Sequence, residues 1–310
     1  MIMHRSDQAL AIRALRSAAP YIRMYKGKTF VVKAGGGVFA DGAATRVLVE
    51  QIAILHYFGV RVVLVHGGGP QLTELSAALG VPTRMVEGRR VTDEKSIDVT
   101  AMVLNGLINT RILGICRDLD IDAVGISGVD AGLVRAHKRA PMRTGSGELV
   151  DFGFVGDIDA VDTTVLKKLL ENGLMPVVSP LSADESGTLL NINADTVAAA
   201  IGAALGAEKL ILCTGAPGIL GDLADPGSLI SYTDLSGLQR LRDQGRIAEG
   251  MLPKARAIEE AIRGGVRRVH VVSYQSPEGI LGEVFTNEGT GTMIVADVNA
   301  LPPAEQQAGA

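Results

Sequence analysis

The sequence predicts an α/β fold, an open αβα sandwich with a mostly parallel central sheet and an additional N-terminal helix. Short runs of consecutive Val, Ile and Leu, for example residues 62–65, indicate strands that are buried on both faces. Segments with apolar residues at helical spacing separate these runs. Strands that alternate with helices in this way form parallel sheets covered by helices on both sides. The 310 residues are enough for one large domain or two lobes.

The composition narrows the class of partner and the compartment. The formal net charge is −4 and there is no basic stripe, which argues against nucleic acid as a partner. Although 47% of the residues are hydrophobic, charges or glycines interrupt the apolar runs, so we expect no segment that spans a membrane. No signal-peptide core follows the N-terminus, and the two cysteines, Cys116 and Cys213, have no metal or redox spacing. These features predict a cytoplasmic protein with no metal site of its own.

Residues 1–27 are predicted to form a helix that precedes the main fold. Apolar residues recur at helical spacing between residues 7 and 25, and Pro20 predicts a kink or an interruption. An isolated helix cannot bury its own apolar stripe. We therefore expect it to pack either on the body of its own chain or on another subunit, as an oligomer contact.

From residue 28 onward, predicted strands and helices alternate. Thr92 is a possible N-cap for a long helix, the glycine-containing stretch over 134–162 predicts hairpins, and residues 182–187 predict a turn. The tail, residues 298–310, is predicted to be disordered. The predicted strands span 29–34, 60–65, 122–126, 175–179, 209–213, 268–273 and 292–295, and the predicted helices span 43–58, 70–79, 93–119, 165–172, 194–205, 234–244, 251–263 and 277–285.

Two of the predicted strands run directly into glycine-rich segments. Lys33 is near the end of the first strand and is followed by glycines at 35–37, and the second strand is followed by glycines at 67–69 and then by Pro70. Glycine allows the backbone to approach a ligand closely, and a lysine beside such a turn suits phosphate. Free N–H groups where a helix begins also favour an anion. The spacing is not that of G-x-x-x-x-G-K-[ST], and each segment is also consistent with a simple turn.

Three other polar groups stand where predicted helices begin. Arg89 and Arg90 precede one helix and suit a carboxylate, although a solvated basic turn has the same pattern. Asn191 and Asp195 flank another helix start, where such residues also serve as caps. Lys254 lies in a first helical turn, where the helix dipole disfavours a cation, and this favours a functional role. Two lysines and a carboxylate suit phosphoryl transfer, in which a protein positions the reactants and neutralises charge on the moving group.

Five segments in order resemble the N-acetylglutamate kinases of the amino-acid kinase family, over residues 20–296. The segments are Lys33-Ala-Gly-Gly, Val65-His-Gly-Gly-Gly-Pro-Gln, Arg90-Val-Thr-Asp-Glu-Lys, Asn191-Ile-Asn-Ala-Asp195 and Gly250-Met-Leu-Pro-Lys254. The resemblance implies the amino-acid kinase fold, with an N-terminal lobe (28–190) that binds an acylglutamate and a C-terminal lobe (191–297) that binds ATP with Mg²⁺. The implied reaction transfers the γ-phosphoryl group to the side-chain carboxylate of N-acetyl-L-glutamate, the second step of arginine synthesis, without a covalent enzyme intermediate.

The resemblance also implies a role for each matching residue. Lys33 and Lys254 would stabilise the transferring phosphoryl group, and Asp195 would orient both lysines. The implied substrate-binding residues are Gly35, Gly36, Gly68, Gly69, Arg90 and Asn191, and the implied nucleotide-binding residues are Lys33, Thr214, Gly215, Gly250, Met251 and Lys254.

The N-terminal segment resembles that of the arginine-inhibited members of the family, whose extra helices interlace dimers into a ring-shaped hexamer. This implies a homo-oligomer, a dimer or a hexamer, and a site for L-arginine. The residues at the matching positions are Tyr21, His270, Glu283 and Gly289.

The chain departs from the family pattern at three places. Gly215 stands where the family has an aspartate on the nucleotide side, and Glu249 stands where a small residue is usual. After His270, Ser273-Tyr274-Gln275 replaces an Asp-Gly turn, a change that bears on arginine binding. Two alternatives follow. One is a kinase for another acylated acid, such as N-succinylglutamate or an aminoadipate, and the other is a non-catalytic arginine-sensing module like the kinase-like domain of acetylglutamate synthases. The lysines at 33 and 254 favour a kinase.

Overall fold

The computed structural model of the chain describes residues 5–145, 147–225, 227–247, 249–287 and 289–300. Its centre is an eight-stranded sheet. In spatial order the strands are β14 (Tyr232–Asp234), β16 (Thr292–Val295), β15 (Arg268–Ser273), β13 (Lys209–Thr214), β1 (Thr29–Ala34), β2 (Arg61–His66), β10 (Met175–Ser179) and β5 (Ala123–Ser127). Neighbouring strands are parallel except β15 and β16. The predicted mostly parallel sheet is therefore confirmed.

Helices cover both faces of this sheet, as predicted for an αβα sandwich. Within β1, Val31 faces one apolar layer, which includes residues of the helices Ala194–Leu205 and Leu252–Arg263. Phe30 and Val32 face the other layer, which includes residues of the helix Gly42–Tyr57 and of the long helix Glu94–Asp118. Successive side chains of a strand point to opposite faces, so a strand buried on both sides must be apolar throughout. The helices are α1 (Arg5–Tyr25), α2 (Gly42–Tyr57), α3 (Gly69–Ala78), α4 (Glu94–Ala101), α5 (Thr110–Asp118), α6 (Thr164–Glu171), α7 (Ala194–Leu205), α8 (Leu235–Asp243), α9 (Leu252–Arg263) and α10 (Gly279–Phe285).

A second, four-stranded sheet and two hairpins extend the N-terminal half of the chain. The sheet has the order β12 (Leu189–Asn191), β11 (Leu181–Ala183), β6 (Val134–Lys138) and β9 (Gly156–Val161), and the hairpins are β3 (Arg84–Val86) with β4 (Arg89–Val91) and β7 (Met142–Arg143) with β8 (Leu149–Val150). The hairpins predicted over 134–162 are confirmed by the antiparallel pairs β6–β9 and β7–β8. Strands of three residues, such as β3 and β4, were not predicted because they are too short to show an alternating pattern.

The N-terminal helix α1 continues through Pro20, so the interruption that we predicted as one of two possible effects of this proline is absent. Its C-terminal turns pack on the body of the same chain, where the ring of Tyr25 contacts Phe30 edge-on at a centroid distance of 5.2 Å. Its preceding turns leave Leu10 and Leu15 about 60% exposed, at 62% and 58%. The helix therefore buries only part of its apolar stripe within the chain. At the other end, Val298–Ala300 form a 3₁₀ turn, and the remaining part of the tail for which we predicted disorder, 301–310, lies outside the described residues.

The long helix predicted over 93–119 is continuous from Glu94 to Asp118, with a π-helical segment between α4 and α5 (Met102–Asn109). Its N-cap is Asp93, whose side chain accepts the N–H of Ser96 at 2.8 Å, so the prediction of Thr92 was wrong. Thr92 is instead fully buried and bridges to Gly153.

The same helix bears on our expectation that no segment spans a membrane. Among the described residues it is the one helix that is long and apolar enough to cross a membrane by length and composition alone. It lies against the main sheet, and Val103, Ile108 and Ile112 are buried in the layer that it shares with α2. Its apolar composition is accounted for by this packing.

His66, the last residue of β2, gives the fold a pH dependence. Its ring is buried, and Nε2 lies 3.2 Å from Asn109 Nδ2, a donor, so the neutral ring is the form that fits. Burial lowers the pKa of His66 from 6.5 to about 4. Because the unfolded chain binds a proton at this histidine more readily than the folded chain, the contribution of His66 to stability is fully present above pH 6.5. This contribution is lost as the pH falls toward 4.

We expect His66 to reduce the free energy of unfolding by about 3 kcal/mol between pH 7 and pH 4. Urea unfolding of the His66→Gln variant should show a weaker pH dependence than the unmodified protein over this interval. The control is His137→Gln, which removes an exposed histidine and should leave the dependence nearly intact. Equal pH dependence in the unmodified protein and the His66→Gln variant would contradict the assignment.

Candidate active site

Two glycine-rich loops leave the same edge of the main sheet and pack against each other. Because β1 and β2 are parallel neighbours in register, the loops 35–37 and 67–69 follow at the same level. A Cβ atom at Gly36 would lie 2.8 Å from the backbone nitrogen of Gly69 and 2.7 Å from Cδ of Pro70. Real Cβ atoms do not approach so closely. Glycine at position 36 is therefore required by the contact between the loops.

The buried side chain of Gln71 fastens the two loops together. Its Nε2 donates a hydrogen bond to the carbonyl oxygen of Gly36 at 2.8 Å. On the opposite side, a Cβ atom at Gly68 would lie 2.6 Å from Cδ1 of Ile108 in the long helix. We did not predict Gln71 as a site residue. The signal that could have identified it is a polar residue beside Leu72 on the buried side of α3.

Lys33, Asp195 and Lys254 come together beside these loops, from three different elements. Lys33 Nζ lies 2.7 Å from Asp195 Oδ1, and Lys254 Nζ lies 2.9 Å from Asp195 Oδ2. Lys33 belongs to β1, Asp195 to the first turn of α7 and Lys254 to the first turn of α9. A Cβ atom at Gly35 would lie 3.8 Å from Lys33 Nζ, so the ammonium group borders the first glycine loop. We call these three residues the ion-pair cluster.

Lys33 and Asp195 of the ion-pair cluster are buried, Lys254 is half-buried, and the cluster is electrostatically unbalanced. Lys33 and Asp195 are only 5% and 3% exposed. Burial lowers the pKa of Lys33, against the attraction of Asp195. Burial also opposes ionisation of Asp195, but the charges of Lys33 and Lys254 hold the pKa of this carboxyl below its ordinary value. Two cations share one anion, and a buried excess charge is unfavourable unless it is compensated. The cluster therefore favours an anionic ligand.

Arg90 and Asn191 are placed by contacts around the second glycine loop and the segment that follows β4. The guanidinium of Arg90 donates to Thr73 Oγ1 at 2.7 Å, to Thr83 Oγ1 at 3.0 Å and to the carbonyl oxygen of Gly69 at 3.2 Å. Asn191, at the end of β12, donates through Nδ2 to Thr92 Oγ1 at 3.3 Å. Arg90 thus borders the start of α3 with an orientation that is fixed by three contacts.

The predicted nucleotide-binding residues other than the lysines occupy two places. Thr214 ends β13, next to β1, and its hydroxyl closes a turn by accepting the N–H of Ala216 at 3.1 Å and donating to its carbonyl at 2.9 Å. Gly215 follows directly. Gly250 and Met251 belong to a 3₁₀ turn that leads into α9, with Gly250 exposed and Met251 half-buried. Gly250 and Met251 directly precede α9, and the first turn of α9 contains Lys254 of the ion-pair cluster.

The residues predicted to bind arginine form a second cluster at α10 and the loop that follows it. His270 Nδ1 lies 2.7 Å from Glu283 Oε1, and Glu283 Oε2 accepts backbone N–H groups from the loop that follows α10. Gly289, with φ of 64°, lies in this loop, and a Cβ atom there would approach Glu283 Oε2 to 2.8 Å. The hydroxyl of Tyr21 in α1 contacts Asn287 in the same loop. The structure therefore groups all four predicted residues around one loop.

His270 is neutral in this second cluster and Glu283 is ionised. Burial, together with the ammonium group of Lys209 at 2.8 Å from Nε2, lowers the pKa of His270 to about 4. Burial opposes ionisation of Glu283, but its hydrogen bonds with His270 and with backbone N–H groups lower its pKa to about 2. The neutral ring donates from Nδ1 to the carboxylate and presents a lone pair at Nε2 to the ammonium group.

Comparison with known proteins agrees with this architecture. The family model described as the amino acid kinase family matches residues 28–273. The acetylglutamate kinase of Myxococcus xanthus is 48% identical over 296 residues, which cover 94% of this chain and 96% of that protein. The acetylglutamate kinase of Symbiobacterium thermophilum is 43% identical over 281 residues, which cover 91% of this chain and 96% of that protein.

Among solved structures, the N-acetylglutamate synthase of Neisseria gonorrhoeae complexed with coenzyme A and L-arginine superposes with a TM-score of 0.79 at 27% identity. The match covers 92% of this chain but 65% of the synthase chain, so this chain spans about two thirds of that protein. The chain therefore belongs to the amino acid kinase family and, within it, to the acetylglutamate kinases.

Proposed function

We propose that this chain transfers the γ-phosphoryl group of ATP to the side-chain carboxylate of N-acetyl-L-glutamate, giving N-acetyl-L-glutamyl 5-phosphate, in arginine biosynthesis. The observation that carries the proposal is the ion-pair cluster, in which Asp195 holds two lysines within 2.9 Å beside two glycine loops. Relatives that are named acetylglutamate kinase and cover nearly the whole chain support the same activity.

The reaction places negative charge where the cluster has an excess of positive charge. An oxygen of the substrate carboxylate attacks the γ-phosphorus, the bond to the oxygen that bridges the β- and γ-phosphates breaks, and ADP leaves with that electron pair. Lys33 and Lys254 stabilise the charge on the moving group and on the leaving ADP. Asp195 orients both ammonium groups, and no proton transfer or covalent intermediate is needed.

The glycine loops supply backbone donors for the reacting oxygens. Gly35 borders Lys33 and Gly36 packs on the second loop, while Gly68 and Gly69 open α3, where free N–H groups and the helix dipole favour negative charge. Because both loops lie at the same edge of the sheet, a phosphoryl group and an acceptor carboxylate bound at this edge can approach each other beside them. We assign residues 28–190 to acylglutamate binding and residues 191–297 to nucleotide binding.

The nucleotide brings its own magnesium ion in this proposal. Among the described residues, no group of three or more His, Cys, Asp or Glu side chains is arranged to hold a metal ion. Asp195, the carboxylate of the ion-pair cluster, is already engaged by two lysines. The donors present therefore fit phosphate oxygens, and Mg²⁺ would be held by the phosphates of ATP. When bound, it would neutralise part of the phosphate charge.

Arg90 and Asn191 are assigned to the α-carboxylate of the substrate. Among the described residues, the three contacts of Arg90 use three of its five N–H groups and leave Nε and one Nη1 hydrogen for a ligand. A guanidinium that is already oriented loses little freedom when it binds a carboxylate. The same arrangement would accept an N-succinylated or otherwise acylated amino acid, and substrate assays decide between these acceptors.

A regulatory role for the second cluster is supported by the synthase complexed with L-arginine. We assign L-arginine to the region of Tyr21, His270, Glu283 and Gly289, where the buried carboxylate supplies negative charge for a cationic ligand. The ion-pair cluster favours a kinase that arginine inhibits over a module that only senses arginine. A cytoplasmic location remains our prediction.

Oligomer formation through α1 is supported by the apolar side chains that this helix leaves exposed. Leu10, Ile12 and Leu15 are 62%, 54% and 58% exposed. Exposed apolar side chains along one segment of a helix favour burial against a second surface. We assign this surface to another copy of the chain, in a dimer or a hexamer.

Replacing Lys33 by alanine tests the kinase proposal. Loss of one charge that stabilises the transition state should reduce the turnover number by about 100-fold or more. The measurement is ADP release dependent on N-acetyl-, N-succinyl- or free glutamate. Lys167→Ala, on the exposed face of α6, is the control and should retain the rate of the unmodified protein. Near-normal turnover in Lys33→Ala would exclude the proposed role.

Replacing Tyr21 by phenylalanine tests the arginine site. The change removes the hydroxyl that contacts Asn287 and keeps the ring that stacks on Tyr25. If this hydrogen bond supports the loop that binds arginine, the concentration for half-maximal inhibition should rise about fivefold. Tyr57→Phe, far along the chain in α2, is the matched control. Unmodified protein whose activity is flat up to millimolar arginine would refute the site.

Replacing both Leu10 and Leu15 by glutamate tests the oligomer contact. Charged side chains cannot be buried against a second copy without a large cost, so the mass measured by light scattering should fall. Arg13→Glu, on the same helix, is the control for a change of charge alone. An unchanged mass in the double variant would show that this surface does not mediate assembly.

A further inference from the structure

Tyr274 reaches from the edge of β15 across the ends of two neighbouring strands. Its backbone N–H donates to the carbonyl oxygen of Thr214 at 2.9 Å, so the residue continues the pairing of β15 with β13 by one position. Its hydroxyl lies 2.7 Å from the point where a Cβ atom at Gly37 would be, and 3.4 Å from the corresponding point at Gly215. Gly37 follows β1 and Gly215 follows β13. The hydroxyl is therefore at the carboxyl edge of the sheet, beside the first glycine loop.

The space that the Tyr274 side chain needs explains why glycine occupies positions 37 and 215. Gly37 has φ of −60° and ψ of −39°, a right-handed conformation that any residue adopts. Gly215 is not among the glycines with positive φ. Backbone conformation therefore does not demand glycine at either position. A side chain at 37 would instead collide with the hydroxyl of Tyr274, and one at 215 would crowd it.

The hydroxyl itself has bonding capacity that the described part of the chain does not use. No described residue forms a hydrogen bond with it. Tyr274 is half-buried, with its ring packed on the apolar layer that includes α2 and α10. A phenolic hydroxyl that is held by ring packing and left without a partner can donate to an anion at low entropic cost.

The position of the hydroxyl relative to the ion-pair cluster indicates which anion the hydroxyl would bind. Gly37 lies two residues from Gly35, which borders Lys33 Nζ, and Gly215 lies next to Thr214, on the side that we assign to the nucleotide. We propose that the hydroxyl of Tyr274 donates a hydrogen bond to a phosphate oxygen of the bound nucleoside triphosphate. The tyrosine occupies space above Gly215, where a longer residue would displace it, so these two departures from the family pattern act together.

This inference rests on the proposed function only for the identity of the nucleotide. Direct measurement of nucleotide binding tests the inference separately from the kinase activity. Tyr274→Phe keeps the ring between Gly37 and Gly215 and removes only the hydroxyl. Calorimetry with MgADP and with a non-hydrolysable MgATP analogue should show affinity weakened by about tenfold, the effect of one hydrogen bond to a charged group. The KM for ATP should rise to a similar extent, and the KM for N-acetylglutamate should change less than twofold. The control is Tyr57→Phe.

Failure of the inference and failure of the proposed function give different results. If Tyr274→Phe binds both nucleotides as tightly as the unmodified protein, the hydroxyl does not touch phosphate and the inference is overturned, whatever the acceptor. If the unmodified protein binds nucleotide but phosphorylates no acylglutamate, the proposed function fails, while weakened binding in Tyr274→Phe still supports the inference.

A thermal double-mutant cycle tests the steric basis. Gly37→Ala should lower the melting temperature in the unmodified background, because the new Cβ meets the hydroxyl. It should lower the melting temperature less in the Tyr274→Phe background, where the colliding oxygen is gone. Equal effects in the two backgrounds would show that Gly37 and Tyr274 are not sterically matched.

Discussion

The contact on which the site depends is the pair of ion bridges from Asp195 to Lys33 and Lys254. One carboxylate fixes the ends of β1, α7 and α9 relative to each other, with both of its oxygens in use. A buried charge is tolerated only when it is paired, so the three elements cannot separate without exposing or isolating an ion. The ammonium group of Lys33 borders the first glycine loop. The same pairing that holds the lysines in place therefore leaves the site ready for an anion, and this preorganisation is what phosphoryl transfer requires.

Close packing of backbone determines the geometry around that charge. At Gly36, the first loop touches the second so closely that no side chain fits, and Gln71 adds a hydrogen bond across the contact. At Gly68, the second loop rests on the long helix. The glycines are needed for proximity more than for unusual dihedral angles. At Gly35 the first loop also brings its backbone next to the ammonium group of Lys33.

Much of the fold and of the candidate site could be predicted from local patterns. Apolar runs identified the long strands, helical spacing identified most helices, and a lysine before glycines marked the end of β1. Other features depend on partners distant in sequence. The choice of Asp93 as cap while Thr92 is buried, and the positions of Gln71 and Tyr274, are set by contacts with other elements. A single-sequence pattern contains no information about such contacts.

Local sequence patterns were sufficient to predict the αβα layering and the residue types of the site, because apolar periodicity and charge can be read from short segments. The pairing of the charges became visible only in the folded chain. The tertiary structure brings Lys33 and Lys254, which lie more than two hundred residues apart in the chain, each within 3 Å of an oxygen of Asp195, and it places the hydroxyl of Tyr274 beside Gly37 and Gly215. The physical reason is that parallel strands from distant parts of the chain end at one edge of the sheet. Residues at those ends become neighbours through strand order, which no local pattern specifies.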